Sequence, residues 1–435
     1  MRVLLITNNV GRLFDARDDS LIWWINVLDD TITAAAADFV AIHLQKLAGN
    51  GVAQLADAVR SRFHDYWCSG LFCPSASDPD FTALGCIVLV RRSLARDVAV
   101  FDFSAGQSGG WKPITTLDEP LVPHPALSER WCRHSTFPRH MFDVLDPQWT
   151  RKGWLHTRWR VEGLPLDLLN IHLFRDMDHL HALRRSGDMS AYALGRHEAL
   201  RHALEMVTGS GPAPAALGPL PPSLFVFGDF NFRLDLHSVL TVLAGEQELS
   251  DALEQAGSSY TEAVHVRAPA ASTPGDFCGA LCSCLGFGGH HQIVVDSRRF
   301  LMDDTANVFQ RNYSAWRECD LEIKACERLL PALKEIEADL PPTWYQSKAC
   351  PSWCDRVLLD AAAERLLRRA TDVSYESQEP RDEDGFVRNT HSMVHFAFTL
   401  DPSLANGGSP IGVKVKAQTS PPVPIKVKYV AVGAG

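Results

Sequence analysis

The stretch SLFVFGDFNFRLD, residues Ser223–Asp235, decides the fold prediction. Its apolar and aromatic run is typical of a buried strand, and it ends abruptly at Gly228. Asp229 and Asn231 come next, at the carboxyl end of the strand, which is where α/β proteins bind ligands. Asp229 can accept a proton from water, and Asn231 can hold an oxyanion. The same two residues also suit an Asx turn that merely ends the strand, so this segment alone leaves both interpretations open.

Other predicted strands carry polar residues of the same kind. His172 lies in the apolar segment LLNIHLF, Asp355 and Arg356 begin the strand in PSWCDRVLL, and His391 precedes the strand in NTHSMVHFAF. Turns alone do not account for so many polar strand ends. A carboxylate that orients an imidazole, with a second carboxylate as base, indicates a hydrolytic or phosphoryl-transfer site.

Composition narrows the function classes. The chain has 435 residues, of which 46% are hydrophobic and 22% are charged, and these fractions are typical of a globular protein. The net charge of −10 argues against a protein that wraps nucleic acid, but a local basic pocket for a small anion remains compatible with it. Six basic residues lie near predicted strand ends. Each one alone is most simply explained as a solvated surface charge, whereas the group together would suit a ligand with several phosphates. They are Lys152, Arg158, Arg196, Arg233, Lys348 and Arg356.

The sequence predicts a cytoplasmic protein without a membrane span. The apolar run at the N-terminus is too short for a signal peptide, and no run reaches about 18 apolar residues. The eleven cysteines are therefore expected to be reduced thiols. The C-terminus lacks a prenylation motif, which leaves peripheral membrane association as the only predicted membrane contact.

In chain order, these motifs resemble the inositol polyphosphate 5-phosphatases of the exonuclease-endonuclease-phosphatase superfamily, and their type I branch most closely. The segments GDFNFRL and PSWCDR are the most specific of them. The resemblance extends from residue 3 to about residue 400. The other segments that carry it are LLITNNVGRLFDA, FVAIHLQKLAG, FTALGCIVLVRRSL, RKGWLHTRW, LDLLNIHLF and NTHSMVHFAF.

The resemblance implies a fold and an activity. The expected fold is an α/β (α+β) four-layer sandwich, in which two mostly antiparallel β-sheets pack together and helices flank them. The expected activity is magnesium-dependent removal of the 5-phosphate from inositol 1,4,5-trisphosphate, or from a related inositol phosphate or phosphoinositide head group, which would end a calcium signal. Residues 1–402 would form one catalytic domain, with an irregular surface insertion at about 257–306 and a tail at 403–435.

The resemblance also implies roles for the motif residues. Asp229 would be the base that deprotonates the attacking water, and Asn231 would hold a phosphoryl oxygen. His391 would contact the scissile phosphate, and Asp355 would orient the ring of His391. His172 would stabilise charge in the transition state. The arginines in the matching motifs would bind phosphate or brace the loops, and these are Arg158, Arg196, Arg233 and Arg356.

The expected metal site departs from the family pattern at two positions. Asn9 would lie beside the metal, but Lys46 follows Gln45 where the family has a glutamate, and Thr390 precedes His391 where it has an aspartate. These changes make the pocket three charges more positive, whereas Mg²⁺ prefers hard oxygen ligands that include carboxylates. Such a pocket would still attract polyphosphates, and Lys46 would be able to pair with the scissile phosphate.

Three hypotheses follow. The first is an active 5-phosphatase with a rebuilt metal site, for which Asp382, Glu383 and Asp384 are candidate ligands, although such an acidic run is more typical of a solvated loop. The second, the runner-up, is a pseudophosphatase that binds inositol phosphates without efficient turnover. The third is a nuclease or a sphingomyelinase-like enzyme, which the net charge and the PSWCDR motif disfavour.

Two further segments carry predictions. Helical spacing predicts helices at Ser190–Thr208 and Trp316–Asp339. Within the insertion, a group of cysteines and histidines admits a zinc site, but their spacing matches no structural zinc pattern and favours a thiol-rich loop. The residues of this group are Cys278, Cys282, Cys284, His290 and His291.

Overall fold

The structure is a computed structural model. It describes residues 1–11, 13, 19–47, 51–74, 82–104, 110–122, 129–142, 151–183, 185–186, 189–209, 221–257, 263–269, 290–302, 309, 316–338, 340–344, 350–379 and 389–400.

Nineteen strands are found within these residues. In chain order they are β1 (Arg2–Asn9), β2 (Phe39–Gln45), β3 (Tyr66–Phe72), β4 (Gly85–Arg91), β5 (Val98–Asp102), β6 (Gly110–Pro113), β7 (Cys132–Thr136), β8 (Gly153–Val161), β9 (Leu164–His172), β10 (Arg185–Ser186), β11 (Met189–Ser190), β12 (Ser223–Asp229), β13 (Val264–Pro269), β14 (His290–Val295), β15 (Phe300–Met302), β16 (Lys334–Glu335), β17 (Asp355–Leu359), β18 (Thr371–Gln378) and β19 (Met393–Thr399).

Two large sheets contain most of these strands. The first has six strands in the order β18-β19-β1-β2-β4-β3, and the second has the order β16-β17-β12-β9-β8-β5-β6 with β7 also paired to β8. Most pairs are antiparallel, but β1 pairs with β2 and β9 pairs with β12 in parallel. The carboxyl ends of each parallel pair therefore lie side by side.

Eight α-helices are found in the described residues. They are α1 (Ser20–Ala34), α2 (Gly51–Arg62), α3 (His179–Leu183), α4 (Ala191–Gly209), α5 (Leu236–Ala244), α6 (Glu246–Gln255), α7 (Leu321–Cys326) and α8 (Ala361–Leu367). Short 3₁₀ turns occupy Arg92–Asp97, Ile114–Thr116, Arg139–Phe142 and Arg317–Cys319. No helix in the described part of the chain is long and apolar enough to cross a membrane.

The alternation of side chains along β1 produces the layers. Val3 and Leu5 belong to the core between the two sheets, together with Phe225 of β12, whereas Leu4 belongs to a second core that also contains Trp24 of α1. Successive strand residues point to opposite faces, so one strand supplies both cores. A third core joins the outer face of the second sheet to α4. The order helix, sheet, sheet, helix confirms the predicted four-layer sandwich.

Two local predictions fare differently. The helix predicted at Ser190–Thr208 is confirmed as α4. The helix predicted at Trp316–Asp339 is wrong, because the described residues 317–338 form the 3₁₀ turn Arg317–Cys319, the short helix α7 and then the strand β16. Pro331 explains the break, since proline has no backbone N–H and its ring clashes with a preceding helical turn.

The segment predicted as an irregular insertion contains regular structure in its described parts. Strands β13, β14 and β15 form a three-stranded antiparallel sheet. Val264 and Ile293 of this sheet are fully buried and belong to the main core. These strands were not predicted because β13 and β14, the two longer ones, are separated by the turn-rich residues 270–289. Cys278, Cys282, Cys284 and the tail 403–435 lie outside the described residues, and so do Asp382, Glu383 and Asp384.

Candidate active site

A row of polar residues crosses the second sheet at one end of the sandwich. Asp355 is the register partner of Asp229 across β17 and β12, and Asp229 is in turn the partner of His172 on β9. His172 is paired with Gly153 at the start of β8, directly after Lys152. Strand pairing alone therefore brings together four polar positions that lie far apart in the sequence.

Two hydrogen-bond donors and one imidazole contact the carboxylate of Asp229, which is 1% exposed. Asn9, from the other sheet, donates from Nδ2 to Oδ2 at 2.7 Å, and the backbone N–H of Asn231 donates to Oδ1 at 2.9 Å. His172 Nε2 lies 3.3 Å from Oδ2. The bond from Asn231 is the Asx turn that the sequence allowed, so the turn and a functional carboxylate occur together. Asn231 adopts φ 51°, a left-handed conformation that asparagine tolerates.

Opposing effects act on the pKa of Asp229. Burial raises it, but the interactions with His391, His172 and Lys152 outweigh burial and hold the pKa well below its ordinary value. Asp229 is therefore ionised throughout the neutral range and is an anchor for cations and proton donors.

His172 is held neutral by its surroundings. Burial, followed by the positive charge of Lys152, lowers its pKa to about 3, although Asp229 opposes the shift. Nζ of Lys152 lies 2.7 Å from Nε2 of His172, so the neutral ring accepts a hydrogen bond from the ammonium. The pair places a positive charge beside Asp229 without protonating the imidazole.

Asp355 and His391 form a second buried pair. Nδ1 of His391 lies 2.8 Å from Oδ2 of Asp355, and the backbone N–H of Asp355 donates to Oγ1 of Thr343 at 2.9 Å. Burial raises the pKa of Asp355 to about 6; His391 opposes this shift, and the nearby Asp229 adds to it. A carboxylate thus fixes one nitrogen of His391, as the sequence predicted for an oriented imidazole.

Asn231 and Arg233 continue the site beyond the end of β12. Nδ2 of Asn231 donates to the carbonyl of Leu173 at 2.9 Å, and Oδ1 accepts from Nη2 of Arg233 at 3.2 Å. The guanidinium of Arg233 lies 3.7 Å above the ring of Trp344. Its buried Nη1 atom has no hydrogen-bond partner in the described structure, so it is a donor available to a ligand.

Lys46 stands at the solvent edge of the site, directly after β2. It is exposed, yet the protein atoms around its ammonium lower its pKa. Asp229 and Asp355 oppose that shift, whereas Arg175 and Arg233 add to it. Arg175 was not among the predicted site residues, although it directly follows the recognised segment LDLLNIHLF.

Three of the predicted phosphate-binding arginines are paired with buried carboxylates of the protein. Arg158 is buried against Asp167, five positions along β8 from Gly153. The carboxylate partners of Arg196 are Asp176 and Glu322, and those of Arg356 are Asp320 and Glu335. Buried ion pairs of this kind leave no charge for a phosphate, so of the two predicted roles the geometry fits bracing. Lys348 lies outside the described residues.

A second layer of amides supports the strand ends. Gln45 donates to Oδ1 of Asn170 at 2.9 Å and to Oγ1 of Thr7 at 3.0 Å, and all three residues are fully buried. Asn389 donates to the carbonyl of Asn9 at 2.6 Å, and this bond ties the segment that carries His391 to β1. Asn389, directly before Thr390 in a recognised segment, could have been identified from the sequence as a candidate site residue. Its bond to Asn9 could not be predicted without the fold.

The donor set does not fit the magnesium ion that the resemblance implies. In the described residues, Asp229, Asp355 and His391 have potential ligand atoms within 4.8 Å of one another. Both oxygens of Asp229 and one of Asp355 already accept from protein donors, so Oδ1 of Asp355 is the only uncommitted carboxylate oxygen among them. Mg²⁺ is usually bound through one or two carboxylates together with waters and substrate phosphates, so the carboxylates alone do not exclude it. The misfit is one of charge, because the ammonium of Lys46 interacts with both Asp229 and Asp355 and would repel a divalent cation bound to them.

The known proteins with similar sequences that are named below are described as inositol polyphosphate 5-phosphatases. No protein-family model matches the chain. Inositol polyphosphate-5-phosphatase A of Homo sapiens is 26% identical over 433 residues, which cover 92% of this chain and 93% of the relative. The probable type I inositol 1,4,5-trisphosphate 5-phosphatase of Caenorhabditis elegans is 26% identical over 406 residues, covering 84% and 93%.

Similarity to solved structures is more distant. The inositol polyphosphate 5-phosphatase domain of SpSynaptojanin, in complex with inositol (1,4)-bisphosphate and calcium ion, is 11% identical with a TM-score of 0.40, covering 93% of this chain and 87% of that one. Cimex nitrophorin, in its ferrous NO complex, is 13% identical with a TM-score of 0.43, covering 92% and 99%. The sequence relatives confirm the resemblance predicted from the motifs: over nearly its whole length, this chain is similar to the inositol polyphosphate 5-phosphatases, a probable type I member among them.

Proposed function

We propose that this protein is a phosphomonoesterase that removes the 5-phosphate from inositol 1,4,5-trisphosphate or a closely related inositol polyphosphate. The observation that carries the proposal is the environment of Asp229. This buried carboxylate is fixed by hydrogen bonds from Asn9 and from the backbone of Asn231, and it lies beside the pair that His172 forms with Lys152. A rigid anion amid positive charge suits a phosphate ester and the water that attacks it.

Each site residue has a task in this reaction. Asp229 takes the proton of the attacking water, whose oxygen bonds to phosphorus as the bond to the inositol oxygen breaks, and the departing inositol oxygen takes up a proton from solvent. Asn231 has a second amide N–H beyond the one that it donates to Leu173, and it directs this donor at a phosphoryl oxygen. Lys152 and His391 stabilise the charge that develops on the transferred group.

The basic residues favour a ligand with more than one phosphate. Lys46, Arg175 and Arg233 all lie toward solvent from Asp229, and Arg233 has an unsatisfied donor. The 5-phosphate would lie against Asp229 and Lys152, while a further phosphate would meet Arg233. The same contacts suit a free inositol phosphate and the head group of a phosphoinositide.

A second candidate function is binding without turnover. The saturated hydrogen bonds of Asp229 and its low pKa favour this alternative, because both make the carboxylate a weak base. The residues at positions 46 and 390 favour it as well, since neither Lys46 nor Thr390 supplies the expected carboxylate.

The deciding experiment is phosphate release from inositol 1,4,5-trisphosphate, with magnesium and with chelator, by the wild-type protein and by Asp229→Asn. The proposal expects release that the substitution abolishes while ligand affinity remains within about threefold, since the amide is similar in shape. Release that persists in Asp229→Asn would contradict the assignment of the base. If ligand binds and nothing is released under any condition, the second candidate is correct.

A further inference from the structure

The backbone at Lys46 is held in an unusual conformation by its neighbours. Lys46 has φ 60°, a left-handed value that disfavours residues with a Cβ atom. Hydrogen bonds of 3.1 Å from Val10 to Gln45 and of 2.9 Å from Leu47 to Ala83 fix the chain on either side. The lysine therefore leaves the strand end in one defined direction, although its side chain is exposed.

Gly11 provides the space that this side chain uses. A Cβ atom built on Gly11 would lie 2.6 Å from Cδ of Lys46 and 3.1 Å from its Cβ. The same atom would lie 3.3 Å from Oδ1 of Asn9, whose Nδ2 is bonded to Asp229. The stem of Lys46 thus packs against Gly11, which also adjoins the asparagine that holds the central carboxylate.

The carboxylates that interact with the Lys46 ammonium are ones that could also bind a metal cation. Lys46 interacts with Asp229 and Asp355, which are also two of the three residues able to approach one ion in the described structure. Its charge also reaches His172. The ammonium of Lys46 therefore interacts with Asp229 and Asp355, the carboxylates that a divalent cation would need as ligands.

We propose that the ammonium of Lys46 takes the place of a divalent cation in this site, so that the chain's own lysine binds and neutralises the 5-phosphate without metal. This inference rests on the proposed function for the identity of the ligand, but it applies equally whether the ligand is hydrolysed or only bound. It differs from the metal dependence that the resemblance implies, and it follows from the mismatch between the donor set and magnesium.

The first test is direct binding of Mg²⁺ to the ligand-free protein, measured by calorimetry, with Mn²⁺ binding followed by electron paramagnetic resonance. The wild-type protein should show no saturable site below millimolar concentration, and Lys46→Glu/Thr390→Asp should gain one. Lys112→Glu is the control, because Lys112 is an exposed lysine on β6 and its substitution changes the charge by the same amount as Lys46→Glu. A saturable magnesium site in the wild-type protein, or none in the double variant, would overturn the proposal.

The second test measures affinity for the 5-phosphorothioate analogue of inositol 1,4,5-trisphosphate, whose slow hydrolysis permits equilibrium binding, with a chelator present throughout. Loss of one charge-assisted contact in Lys46→Met should weaken binding by about 10- to 100-fold, and Lys46→Arg should stay within about fivefold of wild type. Wild-type binding that disappears in chelator, or Lys46→Met binding that equals wild type, would contradict the role of Lys46.

These tests do not depend on turnover. If phosphate release fails but the analogue binds without metal through Lys46, the proposed hydrolysis is wrong and the inference stands. If release occurs but both it and binding require magnesium, the proposed hydrolysis stands and the inference is wrong. Thermal unfolding of each Lys46 variant verifies that it is folded.

Discussion

Asn9, at the end of the first strand, donates a 2.7 Å hydrogen bond to Asp229, which lies 220 residues further along the chain. The bond crosses from one sheet to the other at the end of the sandwich. It therefore fixes the central carboxylate against the strand ends that carry Lys46, and it ties the integrity of the site to the packing of the two sheets.

Replacing Asn9 with alanine should impair both stability and turnover. The variant loses a hydrogen bond to a charged group, so the free energy of unfolding should fall by about 2 kcal/mol, and kcat should fall at least about tenfold because the carboxylate is released. Denaturant unfolding and phosphate release measure the two effects.

Asn8→Ala is the matched control for this prediction. Asn8 is also buried and bonds to the carbonyl of Ser392 and to Trp24, but it does not touch Asp229. It should lose a comparable amount of stability and keep most of its kcat. Equal losses of kcat in the two variants would show that the effect of Asn9 is merely structural.

The raised pKa of Asp355 predicts an acidic limb in the pH profile. As the pH falls through about 6, the carboxyl takes up a proton and no longer provides an anionic partner for His391, so the rate should fall. Asp355→Asn should lower the rate at pH 7.5 by about 10- to 100-fold and remove this limb. An unchanged limb in the variant would assign it to another group.

Asp355 also predicts how stability depends on pH: the free energy of unfolding should rise as the pH falls, whereas the rate should fall. A carboxyl whose pKa is higher in the folded protein stabilises it below the ordinary pKa, and this stabilisation is lost as the pH rises through about 6. Relative to wild type, Asp355→Asn should therefore gain stability between pH 4 and pH 7, on the order of 3 kcal/mol. Urea unfolding at the two pH values tests the sign.

Local chemistry in the sequence was sufficient to predict the strands that carry or adjoin Asp229, His172, Asp355 and His391. The apolar run before Asp229, together with polar residues at the ends of other apolar segments, indicated strands and the strand ends at which polar groups collect. By contrast, the break at Pro331 shows that a helical pattern of apolar residues does not outweigh one missing N–H. The described strands of the supposed insertion were missed because turn-rich sequence separates β13 from β14.

The fate of the arginines could not be predicted from sequence. Arg356 and Arg233 lie in equally specific motifs, yet Arg356 is 1% exposed and paired with two carboxylates, whereas Arg233 faces the site. The difference depends on Asp320 and Glu335, which come from segments with no motif of their own. Burial and pairing of charge are long-range properties, so a motif identifies the residue type but not its partner.

Substitution of these two arginines should separate bracing from ligand binding. Arg356→Met leaves two buried carboxylates without a counter-charge and should cost about 3–5 kcal/mol of stability. Arg233→Met should cost about 1 kcal/mol or less, because its contacts are a partly exposed hydrogen bond and an aromatic face. Its affinity for inositol 1,4,5-trisphosphate should nevertheless fall about 10- to 100-fold.

Calorimetric binding and denaturant unfolding of both variants test this division. At temperatures where it remains folded, Arg356→Met should bind the ligand within about threefold of wild type. If Arg356→Met weakens binding as much as Arg233→Met does, the ion pair of Arg356 must open to the ligand.

Buried neutral histidines predict acid sensitivity, and His43 provides the cleanest test. It lies between the two sheets, fully buried, with its ring stacked 3.5 Å from that of Phe227 and Nδ1 3.0 Å from the carbonyl of the same residue. Burial lowers its pKa to about 3; the hydrogen bond to Phe227 opposes this, and nearby His156 adds to it. His43 has no task in the proposed reaction, so its titration should report on stability rather than catalysis.

A histidine with a lower pKa in the folded protein binds protons preferentially in the unfolded chain, so its contribution to stability is fully present above pH 6.5 and lost as the pH falls. Between pH 7.5 and pH 5, His43 alone should therefore cost about 2 kcal/mol. His43→Phe keeps a stacked ring but cannot be protonated, so its stability should fall by about 2 kcal/mol less than that of wild type over this interval. Ile42→Val, a buried change in the same strand, should cost about 1 kcal/mol equally at both pH values. If urea unfolding gives His43→Phe the same pH dependence as wild type, the acid sensitivity of the fold originates at other buried groups.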